Sequence, residues 1–187
     1  MEYNLKIGGI SIRITSKVEL CIEDSMIPFM TDNILKPDVH VEVIWKNDSI
    51  PIPKSKISGE DVLVEYYFEG DRYFCMAKGG WKGYLGATIC DKNFCRLTCY
   101  INKKDFQKPV ESLGNLLRFL PMRTILQKHG VVFLHASQIA VRNKGILFTA
   151  PSGTGKTTPA RLWEKYRQAD IICNDRTRWT ICIFKNK

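Results

Sequence analysis

The run Ala150-Pro151-Ser152-Gly153-Thr154-Gly155-Lys156-Thr157 sets glycines, a lysine and a threonine at the spacing that holds clustered phosphate oxygens. Small residues let successive backbone N–H groups converge on anionic oxygens, and the N-terminus of a following helix adds the positive end of its dipole. Gly153 and Gly155 supply the permissive backbone, Lys156 a cation for the β- and γ-phosphates, and Thr157 a hydroxyl for Mg²⁺. Ser152, Thr154 and Thr158 complete the candidate nucleotide-binding set. Ala150 stands where the strict GxxxxGK(S/T) pattern has glycine, one small residue for another. The apolar stretch Ile146–Thr149 leads into the motif and a helical pattern through Tyr166 follows it. Pro159 falls in the first turn of that helix, where a backbone N–H has no intrahelical partner. The chemistry implied is the holding of a nucleoside triphosphate, with ATP and Mg²⁺ as the expected ligands.

Two further residues qualify by position. Asp175 follows the short apolar run Ile171-Ile172-Cys173. An acid there holds Mg²⁺ directly or through water, or accepts a proton from an attacking hydroxyl. It is therefore a candidate metal ligand beside Thr157 and a candidate catalytic residue; the plain alternative is a strand-end aspartate capping a turn. Arg176 and Arg178 come next and are read equally as phosphate neutralisers or surface charges. His135 closes the apolar run Val131–Leu134 and, on the residues alone, reads as structural.

Elements that position these residues are legible around them. In the first hundred residues Ile10, Ile12 and Ile14, then Val39, Val41 and Val43, then Val62, Val64, Tyr66 and Phe68 alternate with their neighbours, and Arg96–Ile101 continues the pattern. This period of two predicts half-buried antiparallel strands, separated by Gly8-Gly9, the Pro51 and Pro53 stretch, Glu69-Gly70-Asp71 and Asp91-Lys92-Asn93. The glycine-rich stretch 79–86 has no lysine-bearing strand of the kinase kind after it and reads as a hairpin carrying aromatics. From Ser112 the period becomes helical through Leu113, Leu116, Leu117 and Leu120; Ser112 caps the start, Gly130 ends the run, and Pro121 divides or kinks it. The fold class expected is α+β, with a β-rich N-terminal domain over 1–110 and a helical connector opening a nucleotide-binding region over 111–187.

Composition bounds the remaining possibilities. The chain has 187 residues, 44% hydrophobic and 25% charged, the ordinary balance of a soluble globular protein. No apolar run approaches the roughly 20 residues that span a bilayer, and the N-terminus lacks a signal-peptide pattern, so a cytoplasmic chain without a membrane partner is expected. Seven cysteines, an odd number, argue for reduced thiols; Cys90, Cys95 and Cys99 contain no CxxC pair and read as strand residues rather than a zinc site. The net charge of +9 is uneven: residues 131–187 carry 10 basic against 3 acidic side chains. That excess surrounds the phosphate-binding run. With no Lys/Arg-rich tract or nucleic-acid motif beside it, it argues for a polyphosphate over a nucleic acid.

Taken in order, Leu134-His135-Ala136-Ser137, the run Gly145–Thr158, Ala160-Arg161-Leu162-Trp163 and Asn174-Asp175-Arg176 resemble the HPr kinase-like proteins of the HPr serine kinase/phosphoenolpyruvate carboxykinase superfamily. The close resemblance covers about residues 112–178. It implies an ATP-dependent kinase acting on a protein serine or a small molecule, with Lys156 and Thr157 on phosphate and Mg²⁺. It also places Asp175 at the strand-end acid that serves as base or metal ligand, and His135 near the phosphates. Where that family has a pair of acids, this chain reads Asn174-Asp175. Family members also continue with strands that complete the pocket, whereas about 30 residues follow the motif here. The expectation is a C-terminally shortened member, with a catalytically inactive nucleotide-binding or regulatory module as the alternative. An unfinished sheet edge further favours a homo-oligomer.

Overall fold

Among the described residues strands form where the period of two predicts them; Val62, read as part of the third alternating run, lies outside the described residues. The computed structural model describes residues 1–47, 49–54, 56–60, 64–79, 83–103, 111–134, 136–151, 153–173 and 182–185. They fall into two compact units, Met1–His129 and Gly130–Lys187. The chain is mixed α and β, dominated by strands, with one large mixed sheet. Among the described residues no helix is long and apolar enough to cross a membrane.

The first unit carries β1 (Glu2–Ile7), β2 (Ile10–Ser16), β3 (Val39–Lys46), β4 (Lys56–Glu60), β5 (Val64–Glu69), β6 (Arg72–Gly79), β7 (Gly83–Cys90) and β8 (Arg96–Asn102). They make an 8-stranded sheet in the order β1-β2-β3-β8-β7-β6-β5-β4. Most neighbours are antiparallel, as expected, and β6 and β7 form the predicted hairpin; the turn residues 80–82 lie outside the described residues. The pairs β2–β3 and β3–β8 are parallel instead. Alternation reports which face is buried and is silent on strand direction. Direction follows from the connections, and the long excursions from Ser16 to Val39 and from Lys46 onward allow β3 to enter the sheet as a crossover.

Both faces of this sheet bury apolar side chains: Ile50, Phe74, Met76 and Ala87 cluster on one, and the larger core lies on the other. Ile10, Ile12, Ile14, Val39, Val41 and Cys99 are at most 1% exposed. After residues 104–110, which are not described, come α1 (Leu113–Leu117) and α2 (Met122–Lys128). Ser112 caps α1 through its hydroxyl, which accepts from the Asn115 N–H at 3.3 Å, and Pro121 separates the helices as expected. Leu113, Leu116, Ile125 and Leu126 are buried. The Thr88 hydroxyl, wholly buried on β7, donates to the Phe119 carbonyl at 2.7 Å. Gly86 on the same strand leaves room for the Phe119 ring: a Cβ there would lie 2.8 Å from that ring and 2.9 Å from the Tyr100 carbonyl. The helical segment thus covers the inner face and belongs to the compact unit of the sheet, while the sequence reading grouped it with residues to 187.

The second unit contains β9 (Val131–Leu134), β10 (Ala136–Val141), β11 (Lys144–Thr149), α3 (Thr157–Arg167), β12 (Asp170–Cys173) and β13 (Cys182–Lys185). β13 pairs with β9, and β10 lies between β11 and β12, antiparallel to both. β11 and β12 therefore run the same way, with α3 joining them across β10. Ile139, Ala160 and Ala169 are buried together, flanked by Phe148, Trp163 and Ile171, so α3 lays its Ala160 and Trp163 face on the sheet.

Candidate functional site

The segment between β11 and α3 carries the described sequence-selected residues, Gly153–Thr158. Gly153 and Gly155 both adopt φ +82°, a left-handed backbone that side chains rarely tolerate. Around Gly153 a Cβ would meet nothing within 4 Å, so conformation, and not space, is the constraint there. The Thr154 hydroxyl donates to the Pro151 carbonyl at 2.6 Å, and the Thr158 N–H donates to the Gly155 carbonyl at 2.9 Å. These contacts fold the chain into a tight arch that opens directly into the helix.

Lys156 is the residue on which the arch closes. Its side chain is buried, with the residue 6% exposed, and Nζ donates to the Ala150 carbonyl at 3.0 Å and the Pro151 carbonyl at 3.1 Å. A buried ammonium needs hydrogen-bond acceptors, and here the loop's own carbonyls provide them. Lys156, at the N-cap of α3, makes no side-chain cap bond, and no acid lies in the first turn. First-turn N–H groups lack intrahelical partners, so this helix end favours a negative ligand. Gly153, Thr154, Gly155 and Thr158 are exposed along the arch, and Thr157 is half-buried at the first helical position.

Ser152, His135 and Asp175 lie outside the described residues, as do Asn174, Arg176 and Arg178. β9 and β10 bracket position 135, and β12 ends two residues before 175. Among the described residues no three His, Cys, Asp or Glu side chains gather as a metal-binding group. Thr157 is the described member of the expected Mg²⁺ ligand pair. Its hydroxyl suits Mg²⁺, which takes few protein oxygens and fills its remaining positions with water and phosphate.

A second polar cluster, on the sheet face opposite the helices, was not foreseen; its Tyr67 and Tyr84 pack against the buried Ile50, Phe74, Met76 and Ala87. Glu65 accepts hydrogen bonds from the Tyr67 and Tyr84 hydroxyls and pairs with Lys78, whose Nζ lies 3.2 Å away. The two tyrosine oxygens are 2.8 Å apart. Hydrogen bonding from Tyr67, then from Tyr84, with help from Lys78, holds the Glu65 carboxyl down at about 2, against an ordinary value of 4.5. The same bonds push the Tyr84 hydroxyl up, that to Glu65 most. A carboxylate so firmly ionised is a poor proton acceptor, and the cluster serves as a cross-strand tie. The alternation of β5 put Glu65 and Tyr67 on one face; the register that brings Tyr84 across was not readable from composition.

The tie has a pH signature. A depressed folded-state value means that its stabilisation is complete above the unfolded value near 4.5 and is lost as pH falls toward about 2. Glu65→Gln is expected to lower the urea midpoint by a constant amount above pH 6, where the tie is complete, and to converge with the parent as pH falls toward about 2, which flattens the acid limb. An unchanged acid limb would show that the tie contributes nothing.

Comparison with protein-family models, with curated proteins and with solved structures yields no match for this chain.

Proposed function

We propose that the chain binds ATP with Mg²⁺ on the 150–158 arch, as an HPr kinase-like phosphotransferase built on a P-loop nucleotide-binding domain. One observation carries the reading: a strand-to-helix arch with two left-handed glycines closes on a buried lysine and opens onto an uncapped helix N-terminus. In this reading Lys156 gives up its bonds to the Ala150 and Pro151 carbonyls and takes the β- and γ-phosphate oxygens. The backbone of Gly153–Gly155 and the first turn of α3, with Thr158 in it, cradle the same phosphates, and Ser152 is assigned to the same set from the sequence. The Thr157 hydroxyl orients the metal, and bound Mg²⁺ supplies neutralisation of the charge that develops during phosphoryl transfer.

Asp175 is assigned the acid role, as a metal ligand or as the group receiving the acceptor's proton, and His135 a place near the phosphates; both follow from the sequence resemblance. The acceptor is a protein serine or a small hydroxylated molecule. Isothermal calorimetry with Mg-ATP tests the reading, with saturable binding expected; no binding overturns it. ADP release that disappears in Asp175→Asn identifies a kinase. Saturable binding with no turnover in either form identifies a nucleotide-sensing module instead.

A further inference from the structure

The first unit holds a recess, independent of the phosphate arch, where the inner sheet face near β5 meets α2. Register builds it: Tyr66 stands opposite Cys75, and Tyr73 stands opposite both Phe68 and Cys90, so these side chains form adjacent rows on one face. Its volume is about 280 Å³, just below the roughly 300–1,000 Å³ of ordinary small-molecule sites. Tyr66, Tyr73 and Phe94 wall it, and the buried Cys75 and Cys90 form its floor. Thr124 and Lys128, one helical turn apart on α2, form the opposite side.

Phe94 is the unusual part of this wall. It sits at φ +55° yet is 3% exposed, a left-handed conformation that a bulky side chain rarely takes. Its N–H donates to the Asp91 carbonyl at 3.0 Å, while Asp91 Oδ1 accepts from the Cys95 and Arg96 N–H groups, each at 2.8 Å. That turn delivers the Phe94 ring to 5.1 Å from Tyr73, which in turn lies 4.9 Å from Phe68. Strained backbone that is held in place by its surroundings concentrates at ligand clamps. Protein interiors ordinarily fill such space with their own side chains.

We propose that this recess binds a small aromatic carboxylic acid, its ring among Tyr66, Tyr73 and Phe94 and its carboxylate on Lys128. The size admits a single ring system. Tilted aromatic walls favour another ring over a flexible aliphatic chain. Lys128 is the charged group of the lining, which among the described residues contains no acid, and the Thr124 hydroxyl offers a second donor, which suits a monoanion. Burial pushes the Cys75 thiol up to about 12 and raises Cys90 as well, so the floor stays neutral and behaves as an apolar surface.

The test titrates the intact chain with 3-phenylpropionate and with its amide, 3-phenylpropionamide, following backbone amide chemical shifts. The acid is expected to shift Tyr66, Tyr73 and Thr124 and to bind at least about tenfold more tightly than the amide. Lys128→Gln, at an exposed position, should remove that preference. Thr124→Trp should fill the recess and abolish both interactions while the circular dichroism spectrum is unchanged. Lys156→Ala should leave acid binding as it was, which separates this site from the phosphate arch. Equal binding of acid and amide, survival of binding in Thr124→Trp, its loss in Lys156→Ala, or no shifts up to about 10 mM, where even millimolar affinities register, would each overturn the proposal.

Discussion

Replacing Lys156 with alanine is expected to weaken Mg-ATP binding by at least about 100-fold in calorimetry while shifting the urea midpoint of the free protein little. The two effects separate because the lysine has different partners in the two states. In the free chain, among the described residues, Nζ bonds to the Ala150 and Pro151 carbonyls, and both residues are exposed. Water replaces those bonds at a cost of about 1 kcal/mol or less, the usual net worth of a single hydrogen bond. With a triphosphate in place, the same ammonium would neutralise oxygens held against a helix end and shielded by the arch. A charge-assisted bond is worth roughly 1.5–3 kcal/mol, and two lost together exceed the 2.7 kcal/mol or so that corresponds to 100-fold. Lys156→Arg is expected to fail as well, because a planar fork does not fit the point position of a buried ammonium. Undiminished ATP binding in Lys156→Ala would show that the arch is not where phosphates sit.

How much of this could be read beforehand differs from feature to feature. The arch was legible because its residues do their work locally: left-handed glycines, a lysine at fixed offset and a helix start are all encoded within ten positions. The closure of Lys156 on its own carbonyls was not, since the empty motif and the filled one share one sequence. Ile12, Val41 and Leu97 were readable as core by parity, yet the parallel entry of β3 was not, because parity carries no direction. The Phe94 wall was the least legible of all. Asp91-Lys92-Asn93 announced a turn, but which residue takes the left-handed position follows from the three hydrogen bonds that Asp91 accepts around it. Arg142 and Asn143, also at positive φ, occupy the tight turn between β10 and β11. Asparagine in that conformation is common, whereas phenylalanine is an outlier.

The largest effect on folding is expected at Leu116, where alanine should cost about 3 kcal/mol, within the 2–5 kcal/mol range for buried leucines. A helix of 5 residues such as α1 cannot hold itself together in water. Its order comes from the Ser112 cap and from the two leucines it buries, Leu113 and Leu116, both fully inaccessible. Deleting Leu116 opens a void that the sheet cannot close, because the strands beneath are fixed by their own ladders. The loss also loosens Phe119, whose carbonyl takes the Thr88 hydroxyl and whose ring lies over Gly86. Leu117, on the half-buried side of the same helix, provides the contrast, with an expected cost near 1 kcal/mol. Hydrogen exchange of β3 and β8 amides reads the difference directly: about 100-fold faster in Leu116→Ala, and less than tenfold in Leu117→Ala. If the two variants exchanged alike, α1 would be a surface ornament on the sheet and not part of its core.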